Sequence, residues 1–205
     1  RTLPSRDTMM IALTGANGFV GTQILLALLN RGVATRAIVR DAARMVDSVE
    51  SSAGRLVQLL KNMPFFNDVA SYAGGEVLFY KRAQIIAADL SLAFPGQTWG
   101  YFEDLDQMTI FADNLVPHVL RIDGILIYEE SLVARINQGT LIPAGSAEEV
   151  EIRACAVQAV ELIKKQLSES GKMITSPQND NFLWNRGQQP EYKAKPRHRT
   201  RCVFY

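Results

Sequence analysis

Residues 146–167 read SAEEVEIRACAVQAVELIKKQL, and this stretch sets the fold class. Val150, Ala154, Val157 and Val160 recur at helical spacing and supply an apolar stripe. Ser146 followed three residues later by Glu149 is a capping-box pattern, and Glu149 with Arg153 makes an i,i+4 pair of opposite charge. One helix reaching about Leu167 is predicted. Outward from it, residues 77–94 (VLFYKRAQIIAADLSLAF) have helical length and stop at Pro95-Gly96. Leu105 to Leu120 is interrupted by Pro117, so a helix with a break, or two helical pieces, is expected there. Ser131 to Asn137 reads as a short helix ended near Gly139. Residues 171–179 read as loop. Beyond Phe182-Leu183-Trp184 lies a polar, basic stretch that ends in Val203-Phe204-Tyr205. The expected class is mainly α.

The N-terminal residues have a different character. Met9 to Leu13 is a short apolar run of the kind a buried strand shows, Gly18 to Leu29 has helical apolar spacing, and Asn30-Arg31-Gly32 is a helix stop. Val33 to Val39 is a second strand candidate. The change from β–α–β to helix and loop falls near residues 47–56, DSVESSAGRL, so two parts are expected, 1–50 and 51–205. Gly15-Ala16-Asn17-Gly18-Phe19-Val20-Gly21 sits between the strand and the helix. There glycines permit a tight turn and close approach of backbone N–H groups to a pyrophosphate. The segment, about residues 9–46, resembles the opening Rossmann-like unit of extended short-chain dehydrogenases and epimerases. That resemblance implies dinucleotide binding by Gly15, Gly18 and Gly21, with Arg40 placed to contact the 2′-phosphate of NADP. The Tyr-x-x-x-Lys pair of those enzymes is missing, and residues 47–205 do not supply their further strands. A severed or fused βαβ fragment without enzymatic function and a working NADP site are both readings of this segment.

Composition narrows the function classes. The 205 residues carry 22 Lys+Arg against 21 Asp+Glu, a net charge of +1, which argues against a general nucleic-acid or membrane-surface binder. With 47% hydrophobic residues there is material for a real core. Two cysteines, Cys155 and Cys202, cannot build a disulfide scaffold, so a reducing, cytoplasmic setting is expected. No apolar run reaches the roughly 18–20 residues of a membrane span.

Four stretches stand out chemically. Phe79-Tyr80-Lys81-Arg82-Ala83-Gln84 gathers two aromatic and two basic groups at a helix start. Ile110 to Pro117 holds Asp113 among apolar residues, where desolvation raises a carboxyl pKa unless partners compensate. An Asp beside an aromatic, here Phe111, is a base-recognition pair: the ring stacks on a heterocycle and the carboxylate accepts its N–H groups. Asp180 and Trp184 are four residues apart and share a helix face. Tyr192 to Arg201 is a dense cationic segment suited to a phosphate. Each also has a plain structural reading. Asp113 caps a helix or pairs with Arg121 or Arg153, Trp184 joins the core, Lys81 and Arg82 snorkel, and the basic segment is solvated surface.

From about Asn62 to Tyr205 the chain resembles the queuosine salvage family, the queuosine 5′-phosphate N-glycosidases. The matching stretches are FFNDVA, FYKRAQIIAADL, DLDQMTIFADNLVPHVLR, AEEVEIRACAVQAVEL, LWNRGQQPEYKAKPRHRTR and the closing aromatic pair. The resemblance implies a largely helical fold like that of DNA glycosylases. It also implies hydrolysis of queuosine 5′-monophosphate to queuine and ribose 5-phosphate, with no cofactor and no metal. Carried over by motif, Phe111 stacks on the deazapurine, Asp113 hydrogen-bonds it, and Asp180 and Trp184 line the same pocket. Asp180 falls to the ribose side and Asp113 to the base. Two departures accompany the resemblance. Some members carry Asp directly after the Trp, where this chain has Asn185, which supplies no negative charge. Members also have a long N-terminal half with a base-contacting His, whereas here the histidines are His118 and His198 and the βαβ segment reads as a foreign join. Self-association through exposed apolar surface is therefore expected. A pseudoenzyme that binds queuine without cleaving its nucleotide is a further alternative.

Overall fold

The computed structural model describes residues 48–63 and 65–205, together with two N-terminal strands, 11–14 and 35–38. By its internal contacts the chain divides into Arg1–Ser48 and Val49–Tyr205. In the first unit β1 (Ile11–Thr14) pairs in parallel with β2 (Thr35–Ile38), Ile11 opposite Thr35 and Thr14 opposite Ile38. The two strands lie one or two residues from the bounds expected. The expected helix over 18–29, the glycine loop 15–21 and Arg40 lie outside the described residues.

The second unit is mainly helical. Its first helix, α1 (Ala53–Leu60), buries Ala53, Leu56, Val57 and Leu60. Its start is capped from a distance: the Asp104 carboxylate accepts from Ser52 Oγ (2.8 Å) and from the N–H groups of Ala53 (2.6 Å) and Gly54 (3.1 Å). The orphan donors of the first turn are thereby satisfied.

An antiparallel hairpin follows, β3 (Val69–Tyr72) with β4 (Gly75–Leu78). This corrects the expectation of one helix over 77–94. Ala73 and Gly74 have φ of 49° and 83°, the pair of left-handed residues that a two-residue hairpin turn of matching twist requires. Residues 77 and 78 therefore complete a strand, and α2 begins only at Lys81, running to Ala93. Tyr80 before it is also left-handed, and no side chain of its own caps the helix. Asp68 serves that end instead. Its carbonyl accepts from Phe79 and Tyr80 N–H (both 3.0 Å), and its carboxylate accepts from Lys81 N–H (3.3 Å).

After single turns at Thr98–Gly100 and Leu105–Gln107, the chain crosses residues 108–115 without helix and enters α3 (Val116–Ile122). The helical reading of 105–120 is corrected here as well. Pro117 lies in the first turn of α3, where its missing N–H is one of the orphan donors anyway, so it starts a helix rather than breaking one. Next come α4 (Glu130–Asn137) and α5 (Ala147–Glu169), 23 residues and about 35 Å long. The last elements are α6 (Ser176–Arg186) and α7 (Pro190–Lys193). The 171–179 loop reading is corrected in its second half. Thr175 and Gln178 form a reciprocal capping box, which starts α6 at Ser176.

The core is built on α5. Ala156 and Val160 pack with Val116, Val119 and Leu120 of α3, Leu183 of α6 and Tyr192 of α7. Ile152 packs with Leu132 and Ile136 of α4 and with Ile142, while Val150 packs with Phe79 and Ala112. At the end of α6, Gly187 leaves no room for a side chain. A Cβ there meets Leu115 and Val119 at 2.9 Å, so α6 closes directly on α3. No helix among the described residues is long and apolar enough to cross a membrane.

Candidate active site

The non-helical crossing 108–115 is held from four sides, and the four holds determine the site. At its start, Gln84 of α2 accepts from Thr109 N–H (3.0 Å) and donates to Thr109 Oγ1 (3.0 Å) and the Phe79 carbonyl (2.8 Å). From α5, Arg153 Nε donates to the carbonyl of Ala112 (3.0 Å). From α6, Asp180 Oδ1 accepts the N–H of Phe111 (2.9 Å). At its end, Asp113 Oδ1 accepts from the N–H groups of Leu115 (2.7 Å) and Val116 (3.1 Å) at the head of α3.

Arg153 is the anchor of this arrangement. It is 2% exposed and holds Asp68 through two bonds, Nη1 to Oδ1 at 3.0 Å and Nη2 to Oδ2 at 2.5 Å. It also pairs with Glu149 (3.4 Å), the ion pair expected from the i,i+4 spacing. Its guanidinium lies 3.8 Å from the Phe79 ring centroid and 4.8 Å from that of Tyr205. The Tyr205 hydroxyl donates to Glu149 (2.6 Å), so the final residue of the chain closes the buried charge network. Glu149 is thereby drawn away from the second half of the capping box. Ser146 Oγ accepts Glu149 N–H (3.4 Å), but the Glu149 carboxylate takes Gly145 N–H (3.1 Å) rather than returning to Ser146.

Asp180 is 6% exposed. Burial, and after it the negative charge of Asp113, pushes its carboxyl up to about 7, against the pull of the Phe111 N–H and the Lys81 charge. Each aspartate uses Oδ1 for an anchor, and neither Oδ2 has a hydrogen-bond partner among the described residues. The pair therefore offers two oxygens to a ligand, one of them on a carboxyl that exchanges its proton near neutrality.

Of the sequence-derived site residues, Phe111, Asp113 and Asp180 come together through these bonds, with Lys81 adding its charge. Phe111 and Asp113 are half-buried. Trp184 lies on the same helix as Asp180 but is 46% exposed, and Asn185 is exposed with its amide spent on Asn181, whose carbonyl it meets at 2.8 Å. The expected Asp113 pairing with Arg121 or Arg153 does not form; Asp113 caps, and Arg153 is taken by Asp68. Both histidines are buried. His118 Nε2 bonds the Tyr192 carbonyl (2.9 Å), and burial pushes His198 down to about 4. Sequence reading missed Asp68 and the holding roles of Gln84 and Arg153. The signal for Asp68 was an acid, preceded by Asn67, between the apolar pairs Phe65-Phe66 and Val69-Ala70. Among the described residues no group of three or more His, Cys, Asp or Glu is arranged to hold a metal ion.

The helical unit thus gathers two anchored carboxylates beside an aromatic residue, and burial raises one of the two toward neutrality. Comparison with known proteins makes the class specific. The family model described as queuosine salvage protein matches residues 32–205, and the chain belongs to that family. The match starts within the stretch assigned above to the βαβ segment and includes β2. A protein of Sphaerobacter thermophilus named queuosine 5′-phosphate N-glycosylase/hydrolase is 45% identical over 171 residues, covering 81% of this chain and 53% of that protein. Proteins of the same name from Mus musculus and Dictyostelium discoideum are each 38% identical. They cover 75% and 78% of this chain, and 48% and 50% of their own lengths. The chain thus spans about half the length of these relatives.

Proposed function

We propose that the chain hydrolyses the N-glycosidic bond of queuosine 5′-monophosphate, releasing queuine and ribose 5-phosphate. The observation that carries this reading is Asp180. It is a buried carboxyl held near neutrality, with one oxygen fixed to Phe111 and the other without a hydrogen-bond partner among the described residues. In the reaction the bond from ribose C1′ to the base nitrogen breaks and its electron pair leaves with the base, which takes up a proton. Water adds its oxygen to C1′ and gives up the balancing proton. Positive charge develops on the ribose as the bond lengthens, and the ionised Asp180 carboxylate offsets it. A carboxyl with a value near 7 also exchanges protons readily with water at working pH. Asp113 accepts the N–H groups of the base, Phe111 stacks on it, and Trp184 and Asn185 form the outer part of the pocket. Asn185 supplies polarity without charge, which concentrates the electrostatic work on Asp180. No cofactor or metal takes part, the substrate is a small nucleotide in the cytoplasm, and the helices are arranged as in DNA glycosylases. The test is queuine release followed by mass spectrometry, with Asp113→Ala as control. Loss of release in that variant is expected, and release equal to wild type contradicts the reading.

The parallel pairing of β1 with β2 favours a second reading for the N-terminal unit. In it Gly15, Gly18 and Gly21 hold a dinucleotide phosphate and Arg40 selects NADP. Thermal stabilisation by NADP that is lost in Gly18→Asp supports it; no stabilisation removes it.

A further inference from the structure

The basic segment near the end of the chain takes no part in the aspartate site. Past α7 its backbone is tethered: Ile142 N–H donates to the Arg199 carbonyl (2.8 Å), Leu141 bridges Arg199 in parallel, and Arg121 donates to the Pro196 carbonyl (2.6 Å). Burial alternates along it. His198 is buried, while Arg197, Arg199 and Arg201 are exposed. Three exposed arginines therefore occupy alternate positions of a tethered backbone. None of the three has a hydrogen-bond or ion-pair partner for its side chain among the described residues. Of the other arginines of the unit, Arg135 holds Glu148, Arg186 holds Asp123 and Arg153 holds Asp68, while Arg82 and Arg121 donate to the carbonyls of Phe204 and Pro196. Arg197, Arg199 and Arg201 line a cavity of about 430 Å³ with Asn114 and Asn137, and no acidic side chain among the described residues lines it. Phe111, Asp113 and Asp180 are absent from its walls, although Asn114 directly follows Asp113.

We propose that this cavity is a phosphate-binding site. Arg197, Arg199 and Arg201 grip the oxygens of a phosphate group, and the Asn114 and Asn137 amides donate beside them. Guanidinium groups bind phosphate oxygens through paired, directed N–H bonds. Three of them held together repel one another, and a dianion relieves that repulsion. The volume lies at the lower end of the range for small-ligand sites, the size of a phosphate ester rather than a macromolecule. The group could belong to the nucleotide substrate or to free phosphate, and the chemistry of recognition is the same for both.

The test is titration of the full chain with inorganic phosphate at low ionic strength, followed by phosphorus NMR. Saturable binding is expected, at least tenfold weaker in the double variant Arg199→Gln/Arg201→Gln. Asn137→Asp keeps all the arginines and places a carboxylate among them, and at least fivefold weaker binding is expected. Lys165→Gln removes an exposed cation of α5 elsewhere and should bind as wild type. Displacement of phosphate by queuosine 5′-monophosphate identifies the nucleotide's own phosphate as the ligand. Undisturbed binding identifies free phosphate, and either outcome supports the site. Absence of saturable binding, equal binding in both cavity variants, or an equal loss in Lys165→Gln overturns it. Binding of a short single-stranded oligonucleotide without binding of phosphate overturns it too. The readout needs no catalysis, so it stands or falls separately from the aspartate chemistry.

Discussion

The backbone N–H of Phe111 donates to Oδ1 of Asp180 across 2.9 Å, joining the non-helical crossing to α6. One hydrogen bond thus fixes the orientation of a carboxyl whose proton equilibrium lies near pH 7. The same bond orders the residue proposed to stack on the base. Substitution of Asp180 separates stability from chemistry.

Asp180→Asn keeps an acceptor for Phe111 N–H and removes the charge. The folded value of about 7 lies above the roughly 4 of an unfolded Asp. Through that window the native state holds a proton that the unfolded chain has released. Wild-type stability from this group is therefore full below the unfolded value and falls as pH rises through the folded one, by at most about 1.4 kcal/mol per unit. In denaturant titrations the variant should gain on wild type between about pH 4 and about pH 7 and hold that gain above it. His198 titrates in both proteins, so it cancels in the difference. A variant less stable than wild type at pH 8 contradicts the assignment.

If the ionised form of Asp180 offsets charge on the ribose, the turnover rate rises as pH passes upward through about 7. A pH profile of kcat measures this. A rate that is flat from pH 6 to 8, or that falls, excludes ionised Asp180 from the rate-limiting step.

Arg153→Met leaves Asp68 and Glu149 buried without their cation. Breaking a buried pair on one side costs about 3–5 kcal/mol. Urea unfolding should show a loss of that size, and a loss below about 1 kcal/mol indicates that the pair behaves as a surface one.

Gly187→Ala places a methyl group 2.9 Å from Leu115 and Val119. Forcing α6 away from α3 costs roughly 1–3 kcal/mol, as overpacking does. Unfolding midpoints test it, and an unchanged midpoint shows that the helices yield freely.

Large apolar side chains lie open to solvent, among them Leu92 at 75% and Phe182 at 62%. Concentration-dependent association is expected in sedimentation velocity. A single monomeric species over the whole concentration range contradicts it.

The parts of the fold legible in the sequence are those governed by local periodicity and caps. The Val150–Val160 stripe and Ser146 located α5, and Gly139, with φ of 71°, follows α4 as expected. The hairpin was hidden because its strands span four residues each and merge into an apolar run. Only Ala73-Gly74-Gly75 marked it. Pro117 misled in the other direction, since the same residue breaks a helix from inside and starts one from its first turn. The candidate site divides in the same way. Asp113, Phe111 and Asp180 were visible by residue type and motif, but the network behind them was not. Asp68 and Arg153 are 85 residues apart, and Tyr205 reaches Glu149 over a separation of 56. Pairings at that range follow from tertiary packing and leave no local pattern.

The most direct test of the proposed chemistry is to incubate the chain with queuosine 5′-monophosphate at pH 8, follow queuine by mass spectrometry, and compare Asp180→Asn. The expectation is measurable release by wild type and at least a roughly hundredfold loss in the variant, with the variant's fold confirmed by its cooperative melt. No release by the folded wild-type chain, or equal release by Asp180→Asn, contradicts it.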